Sequence, residues 1–405
     1  MNVPYFRASV GAEEKAAVSA VMDSGWLTTG TVTREFEAAC AAYVGAPHAV
    51  AVNSCTAALH LALEAAGVRR NDIVLVPTMT FAATAEVVRY LDARPVLVDC
   101  DPVTLNVDPE AMAAAAATWA GRGRLAAMIP MHYGGQMADV ERLGAVASVH
   151  GMQVIEDAAH AFPASTRRDA SSPWRTAGTT APITCFSFYA NKCITTGEGG
   201  LLVTDDAALA ERARIMSLHG LSKSAWNRFE SRGSWYYEIL APGFKYNLTD
   251  VAAAIGMVQL RQSDAFWRAR QRLAAQYTER LAGLAEWVET PVELPDRRSS
   301  WHLYPVRLHL ERLDIDRAAV IDALKAAGIT CSVHWMPLHL HPYYRQLYGT
   351  SAEDFPVASA EWPRLVSLPI FPSMTEAEMD YVCTSLGDIL EQHACAPRRS
   401  ASGAA

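Results

Sequence analysis

HAVAVNSCTAALHLALEAAG, residues 48–67, joins two kinds of segment. HAVAVNS is short, apolar and strand-like. CTAALHLALEAAG is rich in alanine and leucine and long enough for a helix. The succession recurs along the first half of the chain. DIVLVPTMT (72–80) precedes FAATAEVVRYLDA, RPVLVDCD (94–101) precedes DPEAMAAAAATWA, and LAAMIPMHY (125–133) precedes MADVERLGAVASVHG. MQVIEDAAH (152–160), ITCFSFYA (183–190) and GGLLVTDD (199–206) bring the strands to seven. Strands alternating with helices imply crossovers, and hence an α/β fold whose mostly parallel seven-stranded sheet carries helices on both faces. Ligands of such sheets bind at the carboxyl ends of the strands. Asn53–Thr56, Thr80–Phe81, Asp157–His160 and Ser187–Lys192 are therefore expected to converge on one crevice.

Residues 165–182 (STRRDASSPWRTAGTTAP) are polar and rich in breakers, which predicts an exposed loop. From Thr249 the pattern changes to one long amphipathic helical stretch, TDVAAAIGMVQLRQSDAFWRARQRLAAQYTERLAGL, forming one helix or two. After it come a strand (WHLYPVRLHL), a helix (DRAAVIDALKAAG), a short strand (TCSVHW) and a last helix (TEAEMDYVCTSLGDILEQ). The expected organisation is a large domain over 1–249, with an N-terminal segment, and a smaller α+β domain over 250–392. The tail 393–405, HACAPRRSASGAA, is expected to be disordered.

The 405 residues suffice for such a two-domain core. A formal net charge of −8 argues against a nucleic-acid footprint, which is basic. No stretch approaches the roughly 18–20 unbroken apolar residues of a membrane span. The start, MNVPYFRASVGAEEKAAV, lacks a basic flank followed by an apolar signal core. The eight cysteines are dispersed without a CxxC pair, and most lie in apolar segments. That pattern predicts reduced, buried thiols and a cytoplasmic location.

FSFYANKCITTGEGG (186–200) places Lys192 between a strand and a glycine cluster. A lone strand-end lysine ordinarily snorkels to solvent. The P-loop pattern GxxxxGK[ST] and the dinucleotide pattern GxGxxG are both missing, so the glycines read as a tight turn into the next strand. Asp157 ends another strand. A desolvated lysine with a separate carboxylate is what pyridoxal phosphate (PLP) chemistry requires: the lysine attacks the cofactor aldehyde, and the carboxylate keeps the pyridine nitrogen protonated. Ser54 and Thr56 stand where a helix begins, suited to a phosphate or to ordinary capping.

MDSGWLTTG, VNSCTAALHLAL, VPTMTFAATA, IEDAAHAFPAS, FSFYANKCITTGEGG, GFKYNLTDVAAAIGMVQL and SVHWMPLHLHPYY occur in that order across nearly the whole chain. Together they resemble the DegT/DnrJ/EryC1/StrS family of PLP-dependent sugar aminotransferases, with the fold-type I (aspartate aminotransferase-like) architecture. The resemblance implies that Lys192 is the Schiff-base lysine and Asp157 the partner of the pyridinium nitrogen. His160 stands where the family often has a glutamine near the phenolic oxygen. Ser187, Thr56 and the backbone amide of Ala57 match phosphate ligands, with Cys55 where glycine is common. Phe81 matches the aromatic residue stacked on the ring. Asn247 matches an asparagine reaching the phosphate of the partner subunit, which implies a homodimer with shared active sites. Trp26, Thr28, Thr29 and His334 are candidates for the substrate side. His334, His339 and His341 lack a second ligand cluster, so no metal is expected. His302 reads as a structural strand residue.

The implied reaction moves an amino group from L-glutamate to a nucleotide-linked keto sugar. The ITTGEGG ending resembles members that aminate C4 of a 4-keto-6-deoxyhexose, whereas C3-specific relatives tend to end in GDGG. Two alternatives remain: a cyclitol ketone of the scyllo-inosose type as substrate, or a non-catalytic PLP-binding regulatory protein. Retention of both Lys192 and Asp157 weighs against the family members that have replaced the lysine and catalyse dehydration, and the missing basic patch and appended helix-turn-helix weigh against the regulatory reading.

Overall fold

A computed structural model describes residues 1–222 and 236–395. The tail expected to be disordered falls outside the described residues from 396 onward. Its first residues are pinned instead, since the Cys395 amide donates to the Arg312 carbonyl at 2.8 Å.

The seven expected strands form one sheet. They are β1 (His48–Val52), β2 (Ile73–Pro77), β3 (Arg94–Val98), β4 (Leu125–Met128), β5 (Gln153–Asp157), β8 (Ile183–Ser187) and β9 (Gly200–Thr204), in the order β1-β9-β8-β5-β4-β2-β3. The pairs β2–β3, β2–β4, β4–β5 and β5–β8 are parallel. Only β9 runs against its neighbours. Between and around these strands lie α1 (Ala12–Ser24), α2 (Thr31–Val44), α3 (Cys55–Ala65), α4 (Ala83–Tyr90), α5 (Pro109–Trp119), α6 (Val140–His150) and α7 (Ala207–Ser217). Alternation within a strand shows why both faces need helices. Val50, Val52, Val74 and Val76 pack with α3, α4 and α7 on one face. Ala49 and Ala51 pack with α2 on the other, where Ile73 and Leu75 meet α5 and α6. Strands buried on both sides read as nearly continuous apolar runs, as these do.

The stretch from Thr249 is one helix, α8 (Asp250–Leu281), capped by Thr249 Oγ1, which accepts from the Ala252 amide. Its first half joins the core of α2 through Ala253 and Leu260. Its second half supplies Leu273, Ala274, Tyr277 and Leu281 to another core. The division expected at 249/250 therefore falls at the cap of a helix that serves both cores. The second core is closed by α9 (Arg317–Ala326), α12 (Glu376–Gln392) and an antiparallel sheet of β10 (Val288–Glu289), β12 (Tyr304–Leu308) and β13 (Leu365–Leu368). Val3, near the N-terminus, is wholly buried in it. Two short helices, α10 (Pro342–Tyr348) and α11 (Pro356–Glu361), lie between α9 and β13.

Two expectations need correction. TCSVHW is not a strand; it makes one isolated bridge, Ser332 to Ser367. The strand that pairs with β12 is LVSL, a four-residue run hemmed by Pro363 and Pro369, too short to announce itself. Residues 165–182 are likewise not all exposed loop. Their ends form β6 (Ser165–Thr166) and β7 (Arg175–Thr176), which continue into β11 (Arg297–Arg298), while Asp169–Ser172 make the exposed turn. Trp174 lies between the guanidinium groups of Arg167 and Arg298, 4.6 and 4.0 Å from its ring centre. Cation–π contacts of this kind make a polar segment ordered.

Candidate active site

The carboxyl ends of β5 and β8 and the start of α3 enclose a cavity of about 390 Å³. Four expected clusters meet there: Ser54–Thr56, Phe81, Asp157 with His160, and Ser187 with Lys192. His334 joins them from the C-terminal region. Ala57 does not line the cavity; its amide is taken by Ser54 Oγ at 3.1 Å.

Asp157 is 4% exposed. Thr84 Oγ1 donates to its Oδ2 at 2.7 Å, and the Ala159 amide donates to its Oδ1 at 3.1 Å. Thr80 lies a further 2.7 Å from Thr84, hydroxyl to hydroxyl. Burial pushes the carboxyl upward, opposed by these donors and by the charge of Lys192. An ionised carboxylate has about four acceptor positions, so room remains for one more N–H. Lys192 follows β8 in a turn, its amide donating to the Tyr189 carbonyl at 3.0 Å. The residue as a whole is half-buried, yet desolvation of its buried amine lowers the pKa from 10.5 to about 8, against the pull of Cys55, Asp157 and Cys193.

The helix start is closely fitted. Ser54 caps α3, and the first-turn amides of Cys55 and Thr56 have no acceptor within the helix. A Cβ on Gly200 would collide with the Ser54 carbonyl and stand 2.5 Å from the Cys55 nitrogen. The glycine cluster therefore does more than turn the chain, although Gly197 at φ +83° does turn it. It lets β9 pass against the helix N-terminus. Cys55 faces the cavity as an inert thiol, pushed well above its usual pKa by burial.

His302 corrects the sequence reading. It is not a strand residue: it stands two residues ahead of β12 and lines the cavity, with Nε2 3.5 Å from Lys192 Nζ. Its ring centre is 4.2 Å from that of His160, which in turn lies 5.0 Å from Trp335. Burial keeps His160 and His302 far below the usual histidine range and lowers His334 to about 3. His334 Nδ1 is 2.8 Å from Ser367 Oγ. His339 is spent on Thr78 and Ser359, and His341 on the Met336 carbonyl. Thr84 and His302 went unrecognised because a helix threonine and a histidine in an apolar run carry no distinctive signal.

Trp26, Thr28, Thr29 and Asn247 do not line this cavity within one chain. They cluster instead at the start of α2. Asp250 accepts from the Gly30 and Thr33 amides at 2.8 and 2.9 Å and from Thr33 Oγ1 at 2.6 Å, while its own amide donates to the Thr28 carbonyl. Trp26 Nε1 donates to the Thr29 carbonyl at 3.1 Å. Asn247 Nδ2 donates to Thr29 Oγ1 at 2.7 Å, and its Oδ1 accepts from Lys245.

The cavity suits a phosphorylated pyridine aldehyde. It offers an amine of lowered pKa, a buried carboxylate with spare acceptor capacity, and unpaired amides at a helix N-terminus. His160 Nδ1 is buried there without a partner. An amine and a carboxylate set near the strand ends of such a sheet are what the chemistry of a fold-type I PLP-dependent aminotransferase requires. The profile of the DegT/DnrJ/EryC1/StrS aminotransferase family matches residues 8–387, and the chain belongs to that family. It is 42% identical over 393 residues to the spore coat polysaccharide biosynthesis protein SpsC of Bacillus subtilis (strain 168), covering 96% of this chain and 97% of that protein. Among solved structures, the PLP-form of Spr1654 from Streptococcus pneumoniae superposes with a TM-score of 0.87 at 29% identity, covering 97% of this chain and 99% of that one. The sugar aminotransferase CalS13 from Micromonospora echinospora gives 0.81 at 30% identity, covering 95% and 99%.

Proposed function

We propose that this aminotransferase transfers the amino group of L-glutamate to a nucleotide-linked keto sugar, at C4 of a 4-keto-6-deoxyhexose. Support for a sugar comes from the relatives, since CalS13 is a sugar aminotransferase and SpsC serves polysaccharide biosynthesis. The C4 position rests on the likeness of ITTGEGG to C4-specific members. The observation that carries the chemistry is the Lys192 amine, held at a pKa of about 8 beside the buried Asp157 carboxylate.

Bound PLP supplies an electron sink for charge that develops on the substrate carbon. Lys192 would hold the cofactor through its amine, and the free amine would accept the proton from the donor carbon as a base and, as the conjugate acid, return a proton to the sugar carbon. Asp157 would hold the pyridine N–H, with Thr84 orienting the carboxylate for that task. The amides of Cys55 and Thr56, with Ser187 and the Thr56 hydroxyl, would bind the phosphate, and the exposed Phe81 ring would pack against the cofactor ring. Asn247 serves the neighbouring site of a homodimer, and the protein works in the cytoplasm, where its eight free cysteines stay reduced.

The test is the pyridoxamine form of the protein mixed with a panel of nucleotide keto sugars and scyllo-inosose. Return of the pyridoxal absorbance with nucleotide-linked 4-keto-6-deoxyhexoses is the expected result. A response to scyllo-inosose alone would overturn the substrate assignment.

A further inference from the structure

We infer that His302 is a positioning residue for Lys192, accepting one N–H of the free amine so that its lone pair points into the cavity. The inference rests on the assignment of Lys192 as the proton-moving base. Among the described residues, His302 is the one side-chain hydrogen-bond partner of that amine, at 3.5 Å. Contacts of catalytic groups are often long before substrate binds and tighten afterwards.

The imidazole's other nitrogen argues for use rather than structure. Among the described residues, His302 Nδ1 is buried with no partner, whereas His339 has both nitrogens engaged, by Thr78 and Ser359. Buried polar atoms left unpaired are uncommon and call for an explanation. Here a neutral ring facing a cationic donor must keep its lone pair on Nε2, which leaves the proton on the unpartnered Nδ1.

The backbone carrying His302 is bolted to the large sheet's end of the molecule. The Ser300 and Leu303 amides donate to the Gly135 and Gly134 carbonyls, each at 3.1 Å, and Ser300 Oγ donates to the His160 carbonyl. A Cβ on Gly135, at φ +108°, would collide with Ser300 Oγ. From α8, Arg270 donates to the Trp301 carbonyl at 3.0 Å and the His302 carbonyl at 3.4 Å. An amine at the end of four rotatable bonds scatters its lone pair unless something holds one N–H. A fixed acceptor does so at little cost. The ionisable groups facing the pair are Cys55 from α3, Asp157 from β5, His160 just after it, Cys193 beside Lys192, His334 from before β13, and Arg270 from α8. His302 is the member of this set whose neutral acceptor meets the amine.

The test uses His302→Phe, which keeps a ring without an acceptor, and His302→Gln, whose Oε1 reaches the place of Nε2. The first readout is the pH dependence of Lys192 acylation in the cofactor-free full-length chain. A neutral acceptor favours the cation, so His302→Phe should move the Lys192 titration to lower pH, and His302→Gln should restore it. The second readout is the single-turnover half-reaction of the holoenzyme with amino donor. His302→Phe should slow it about 10- to 100-fold with little change in its donor dependence, and His302→Gln should recover most of the rate. Equal losses in both variants with an unchanged Lys192 titration would reduce His302 to packing, and unchanged rates would remove it from the reaction. Either result overturns the inference. Lys192→Ala is carried alongside: turnover by that variant would refute the base assignment itself.

Discussion

Burial turns Lys192 from a solvated cation into a usable nucleophile. With the pKa at about 8, roughly a tenth of the amines are neutral at pH 7, against fewer than about one in a thousand at 10.5. Raising the pH removes the proton, so the reactive fraction grows about tenfold per unit and levels off above about 8. Capture of PLP by the cofactor-free chain, followed by absorbance, should accelerate about tenfold between pH 6 and 7 and flatten above 8. A rate still climbing at pH 10 would mean an unshifted lysine. The same shift has a signed effect on stability. Between about 8 and 10.5 the unfolded chain binds more protons than the folded one at this residue, so its contribution to stability rises with pH across that window. At neutral pH the buried amine costs the fold.

At the scale of elements, Gly200, which opens β9, is where the fold shapes the candidate cofactor site. Gly200→Ala would drive a methyl into the Ser54 carbonyl at the start of α3. Overpacking of that kind costs about 1–3 kcal/mol, read from the urea midpoint, and should weaken PLP binding because the first-turn amides move. Gly144, in α6 with open space at its Cβ, is the control, where alanine should be neutral or stabilising by up to about 1 kcal/mol. Unchanged midpoint and affinity for Gly200→Ala would show that the strand yields. The role of Gly200 could not be seen in the sequence, because GEGG shows a turn and the neighbour it admits lies across the sheet. All seven strands of the large sheet were legible as apolar runs, and β1, β2, β3, β4 and β9 are each followed by a helix. LVSL was not, being four residues between prolines, and TCSVHW imitated a strand while making a single bridge. Lys192 and Asp157 were legible as candidates because Asp157 ends one strand of the sheet and Lys192 follows the carboxyl end of the next. His302 was not, because its partner is 110 residues away and nothing local distinguishes it from a core histidine.

The whole molecule poses a question about Asn247, which stands outside the cavity of its own chain. It pairs with Val52 in an isolated antiparallel bridge just ahead of α8, held by Thr29 and Lys245. Of the cavity-lining residues Phe81 is 58% exposed and Tyr189 47%, and in the segment ahead of Asn247 Ile239 and Leu240 reach 70% and 54%. Exposed apolar side chains suit a second copy of the chain, and a twofold-related copy would present the same segments in return. Asn247→Asp chains and Lys192→Ala chains should each be nearly inactive alone, the first because a carboxylate repels the phosphate it would approach. In a mixed dimer, one site combines the intact Lys192 of the first chain with the intact Asn247 of the second, and the other site carries both defects. With independent sites, such dimers should recover about half of the wild-type activity, one working site of two. The activity is measured on purified hybrids bearing two different affinity tags, with folding of each homodimer checked by circular dichroism. Folded hybrids that recover nothing would confine Asn247 to its own chain, as the turn residue that its bonds to Thr29 and Lys245 would equally allow.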